Sequence, residues 1–102
     1  MILLLTIPKT FSLAGMDFTV KIVDNVKDGA DYGEYSDVEN TIYIAKRIKE
    51  DNIWKNISEK IMFNTFLHEL FHVFQYYYNN RYDESQAQVY ANFTMELLQT
   101  YT

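Results

Sequence analysis

Cysteine is absent from these 102 residues. That excludes disulfides, thiolate metal sites and cysteine nucleophiles, and it is compatible with a reducing compartment. Basic clusters are missing too: nine lysines and arginines stand against fourteen acids, for a net charge of −5. No run of five basic residues exists to neutralise phosphates, so nucleic acid is not an expected partner. No apolar stretch approaches the roughly 20 residues of a membrane span, so no membrane is expected either. Met1–Ile7 lacks a basic leader, a full apolar core and a small-residue cleavage site, and it reads as an opening β-strand rather than a signal peptide. The expected location is cytoplasmic. No repeat, low-complexity tract or linker divides the chain, and residues 1–102 read as one domain.

What the chain does have is apolar bulk. Hydrophobic residues make up 48% and aromatic residues 17%, including nine tyrosines and seven phenylalanines. That composition belongs to a folded domain with a core. In the first half, Phe18–Val23 alternates and is β-branched, which marks a strand. Asp24–Ala30 is a polar loop with a turn signal at Asp28-Gly29. Tyr32–Ser36 and Thr41–Ala45 (TIYIA) then read as a hairpin across Asp37–Asn40. Three or four strands in a small antiparallel sheet are expected. Lys46–Asn56 reads as a short helix or a loop.

The second half is helical. Ser58 is a good N-cap for a helix running to about Tyr78, and Asn79-Asn80-Arg81 suits its end. At about 100° per residue, the apolar positions from Met62 to Tyr78 cover half of the helix circumference. The remaining strip carries Asn64, Thr65, His68, Glu69, His72, Gln75 and Tyr76. A polar strip on a helix that is apolar elsewhere should face a cleft. Asp83 and Gln86 form a capping box for a second helix, whose inner face is expected to carry Ala87, Tyr90, Ala91, Thr94, Leu97, Leu98 and Tyr101. A short turn makes the two helices an antiparallel hairpin. The fold class is α+β, with the sheet packed on the first helix and the C-terminal helix.

Both histidines of the chain fall in His68-Glu69-Leu70-Phe71-His72. Side chains four apart on a helix share a face, with Cβ atoms about 6 Å apart, so two imidazoles can converge on one zinc ion. Glu69 flanks that position, where it can take a proton from an activated water. The pattern is HExxH, the motif of zinc-dependent peptidases. A third ligand must be a carboxylate, since no other histidine or cysteine exists. Glu96 lies three turns too far along the second helix. Asp83 is aligned with the helix interface, but its short side chain is wanted as a cap. Glu84 sits at the edge of that interface and reaches farther, so it is the preferred ligand. Tyr76 and Tyr82 are candidates to stabilise an oxyanion, with packing as their plainer role. Trp54 is read either as lining the cleft or as a satellite of the core.

From Thr41 to about Gln99 the chain resembles a minimal gluzincin, specifically the ImmA/IrrE-type zincins and small phage or mobile-element proteins related to them. The strand TIYIA and the helix with HELFH carry the resemblance, and the stretch Glu84-Ser-Gln-Ala87-Gln-Val-Tyr-Ala91 matches the family's pattern E-x-x-A-x-x-x-A. The interval from His72 to Glu84 is short for the family, and Phe71 stands where glycine is usual. The resemblance implies a zincin-like fold, with zinc held by His68, His72 and Glu84 and with Glu69 as general acid/base. The expected function is hydrolysis of a peptide bond in a peptide or protein substrate. In that reading Thr41–Ala45 is an exposed edge strand that aligns substrate. The competing expectation is a catalytically silent zinc-containing module that sequesters a partner protein.

Overall fold

Two residues with left-handed backbone, Ala14 (φ 51°) and Gly15 (φ 78°), start the fold by reversing the chain between two strands. The computed structural model describes residues 6–100. Of the expected opening strand, residues 1–5 lie outside that range, and Thr6–Pro8 belong to no strand. Strand β1 (Thr10–Leu13) instead follows the proline and pairs antiparallel with β2 (Met16–Val23). After a single 3₁₀ turn at Lys27–Gly29, strands β3 (Gly33–Ser36) and β4 (Thr41–Ala45) form the expected antiparallel hairpin.

The sheet is mixed rather than purely antiparallel. β2 and β4 run parallel, with Val20 opposite Ile42 and Ile22 opposite Ile44, and the strand order is β1-β2-β4-β3. Side-chain alternation has the same period in parallel and antiparallel strands, so pattern alone does not set the direction. The order also corrects the expected edge. β4 is internal, with Ile42, Ile44 and Ala45 all fully buried. The edge strand on that side is β3.

Lys46–Asn56 is neither helix nor loop. It is a second hairpin, β5 (Arg47–Glu50) with β6 (Ile53–Asn56), turned by Asp51 and Asn52 at φ 51° and 64°. Successive positive φ values give the turn a twist that matches paired strands. Arg47 grips Asp24 with two hydrogen bonds of 2.9 and 2.8 Å, tying this arm to the end of β2.

Helix α1 (Glu59–Tyr78) starts as expected: Ser58 Oγ accepts from the Ile61 amide at 3.2 Å. It ends at Asn80, which takes φ 55° and donates its amide to Gln75 O. Helix α2 (Glu84–Thr100) begins beside Asp83, whose carboxylate accepts from the Gln86 amide at 3.0 Å. Ala87 and Ala91 are fully buried and let α1 and α2 approach closely. The layers are therefore sheet, α1 and α2, with Phe18, Val20, Ile42 and Ile44 meeting Phe63, Phe66, Leu67 and Val73 in the core. The apolar surface of the helices is wider than what they pack. Phe74, Tyr78, Phe93 and Leu97 are exposed, correcting the expectation that Leu97 faces inward. Tyr101, expected on the same inner face, lies outside the described residues. No helix among the described residues is long and apolar enough to cross a membrane.

Candidate metal centre

The polar strip of α1 faces inward, toward the sheet and α2. Thr65, Glu69, His72 and Gln75 are all buried, and His68 is half-buried. They line or back a cleft of about 700 Å³ between β3, α1 and the start of α2, whose walls include Gly33, Tyr35, Tyr82 and Glu84.

Three donor atoms meet there. His68 Nε2 and His72 Nε2 are 3.1 Å apart, and Glu84 Oε1 lies 2.8 Å from the first and 3.1 Å from the second. Two donors on a tetrahedral zinc with bonds of about 2.05 Å stand about 3.3 Å apart, so this triangle is slightly tighter than a metal would hold it. Glu84, the preferred third ligand, is thus brought beside both histidines. Asp83 is spent on the helix cap, and Glu96 does not border the cleft. His68, Glu69 and His72 also form a group whose ligand atoms lie within 4.8 Å of one another. Of the two glutamates, Glu84 is the one in direct contact with both rings, while Glu69 stands beside them.

The outer nitrogens decide what the inner ones can do. His72 Nδ1 lies 2.8 Å from Gln75 Oε1, and His68 Nδ1 lies 2.9 Å from Gln88 Oε1. Amide oxygens only accept, so each ring donates from Nδ1; in the neutral ring Nε2 is then a bare lone pair facing inward, and with a second proton it donates to Glu84. With both rings neutral, two lone pairs and a carboxylate oxygen converge. That donor set fits a divalent cation with nitrogen and oxygen preferences such as zinc.

Burial dominates Glu69 and pushes its carboxyl up from 4.5 to about 7, against the pull of the His72 and His68 imidazoles. Glu84 behaves oppositely. Its partial burial acts to raise it, but the hydrogen bonds to His68 and His72 bring it below its ordinary value. Gly33 matters to this contrast. A Cβ there would lie 2.5 Å from Thr65 Cγ2 and 3.4 Å from Glu69 Cγ, so the bare backbone of β3 closes over Glu69.

Of the tyrosines, Tyr82 lines the cleft and packs edge-on against His72 at 5.1 Å. Burial and then Asp37 push its phenol up to about 12. Tyr76 packs against Tyr35 and Tyr77 and does not border the cleft. Trp54 serves the second hairpin, under Arg47 at 4.6 Å, and is also outside the cleft. Sequence reasoning missed Gly33 and Tyr35 on β3, as well as the roles of Gln75 and Gln88. Gln75 lies three residues beyond His72 and Gln88 four beyond Glu84, so helical spacing was the available signal.

Comparison with family models, with curated proteins and with solved structures returns no match.

Proposed function

We propose that this domain is a zinc-dependent peptidase of gluzincin type, acting on a peptide or protein substrate. The supporting observation is the convergence of His68 Nε2, His72 Nε2 and Glu84 Oε1 within 2.8–3.1 Å, with Glu69 beside them in the cleft. His68, His72 and Glu84 would hold the ion. When bound, zinc supplies Lewis acidity toward a carbonyl oxygen and lowers the pKa of water. Glu69 takes a proton from the attacking water at its carboxylate and returns it to the leaving nitrogen. β3 is the strand that borders the cleft, so substrate backbone would lie along it rather than along β4. Tyr82, above His72, is better placed than Tyr76 to donate a hydrogen bond to the developing oxyanion. The lack of cysteine suits a cytoplasmic setting, and the relatives this reading implies are the ImmA/IrrE-type and mobile-element zincins.

The exposed side chains of Phe74 and Tyr78 on α1, and of Phe93 and Leu97 on α2, favour a second reading, a zinc-containing module that sequesters a partner protein. Two measurements decide between them. Protein purified without added metal should carry one zinc per chain, and it should degrade an unfolded protein or a mixed peptide library. Glu69→Gln should keep the zinc and lose about 10²–10⁴-fold in hydrolysis. A chain that neither co-purifies with zinc nor binds it in titration refutes both readings. A zinc-loaded wild type that matches Glu69→Gln in every effect refutes catalysis.

A further inference from the structure

We infer that Gln75 and Gln88 are positioning residues that lock the two imidazoles in the tautomer able to bind metal, and that Gln75 also couples them to the helix carrying Glu84. The inference rests on the zinc reading of the site.

Gln75 is almost fully buried, with 4% of its surface exposed, and every polar atom of its amide is used. Its Oε1 accepts from the Asp83 amide at 3.3 Å and faces His72 Nδ1 at 2.8 Å. Its Nε2 donates to Asp83 O at 3.3 Å and to Gln86 Oε1 at 3.1 Å. Turning the amide over would set its NH₂ against the Asp83 N–H and its oxygen against the Asp83 carbonyl. The orientation is therefore fixed by the backbone of Asp83, and an oxygen must face His72 Nδ1. That ring can only be a donor at Nδ1, which in the neutral imidazole leaves Nε2 bare. The same backbone clamp holds the residue just before Glu84. One side chain on α1 thus sets the tautomer of one ligand and the position of another on α2. It also replaces the reciprocal half of the capping box expected for Gln86.

Gln88 repeats the arrangement for His68 from α2. Its Nε2 donates to Asn64 Oδ1 at 3.0 Å and Asn92 Oδ1 at 2.8 Å, turning Oε1 toward His68 Nδ1. Asn64 in turn donates to Asn92 at 3.2 Å, closing a polar network across both helices. Both outer partners are neutral amides. Each orients its ring without adding charge to a site where Glu69 and Glu84 already supply two carboxylates.

The test uses Gln75→Met and Gln88→Met, near-isosteric changes that remove the acceptor, with Gln88→Glu as the conservative variant. Long-range ¹H–¹⁵N spectra of metal-free protein at about pH 8, where free imidazole is neutral, should show both wild-type rings protonated at Nδ1. Each Met variant should lose that preference at its own ring and bind zinc ~10–100-fold more weakly in chelator competition. Gln88→Glu should return binding to the wild-type level. Should Gln75→Met fail to fold by circular dichroism, Gln88→Met, on the more exposed side, carries the measurement. Folded Met variants that bind zinc within about twofold of wild type overturn this inference alone. Wild-type rings protonated at Nε2 also overturn it. A wild type that binds no zinc overturns the metal reading and this inference together.

Discussion

Replacing Glu69 by glutamine in metal-free protein should change the pH dependence of folding more than its size suggests. Burial holds the Glu69 carboxyl at about 7, against 4.5 in an unstructured chain. A carboxyl raised by folding keeps its proton in the native state after the unfolded chain has released it. Its contribution to stability is therefore present in full below 4.5, shrinks as pH rises and is gone above about 7. The whole shift corresponds to about 3 kcal/mol, most of which falls between pH 5 and 8. Glutamine has no charge to bury, so Glu69→Gln should gain about 2–3 kcal/mol on the wild type across that interval. Urea unfolding of both proteins in a chelator, at several pH values, measures the difference, and taking the difference removes every group the two share. The chelator is essential because a nearby cation would favour the carboxylate and erase the shift. A difference between the two proteins that stays constant within about 0.5 kcal/mol from pH 5 to 8 would refute the buried-carboxyl account.

Other substitutions separate neighbouring residues with different duties. Glu84→Ala should weaken zinc binding by more than the ~10–100-fold typical of an outer-sphere partner, while Asp83→Ala should leave affinity unchanged and cost about 1 kcal/mol as a lost helix cap. Zinc titration and chemical unfolding of both proteins check this, and equal losses of affinity would contradict the assignment. Gly33→Ala should destabilise by about 1–3 kcal/mol, because its methyl would sit 2.5 Å from Thr65 Cγ2 and 2.8 Å from the Tyr43 carbonyl. A thermal midpoint equal to the wild type would show that β3 has room to move away from α1.

The helices were legible because one short-range rule governs them. Ser58, the apolar spacing and the two asparagines bound α1, and the four-residue interval of the histidines aligned them without any knowledge of the tertiary fold. Glu84 followed from the shortness of the turn. The sheet was less legible. Ala14-Gly15 and Asp51-Asn52 both make tight two-residue turns, yet neither is one of the Asn-Gly or Asp-Gly pairs that announce such turns. In Arg47–Asn56 the strands carry Arg47, Lys49, Glu50 and Lys55, so their charge resembled a loop. The parallel pairing of β2 with β4 depends on β3 folding back along the far side of β4, a long-range choice that no local pattern encodes. Gln75 was visible as part of the polar strip. Its duty was not, since its partner Asp83 arrives from the next helix.

The candidate centre is carried by the two helices, and the sheet covers it. His68 and His72 ride on α1 and Glu84 on α2, while β3 presses the bare backbone of Gly33 against the turn that bears Glu69. Without a cation this arrangement opposes folding, because the Glu69 carboxyl is buried at the expense of its charge. Local conflicts of that kind persist where a ligand relieves them. An ion at 1,000 times its dissociation constant adds about 4.1 kcal/mol to the folded state, more than the cost attached to Glu69. It would also bridge α1 to α2, adding to the buried Ala87, Ala91 and Met95, the Phe71–Tyr90 stack and the amide network of Asn64, Gln88 and Asn92. The energetic disadvantage of the empty arrangement is thus of the size, and in the place, that a bound metal would reverse.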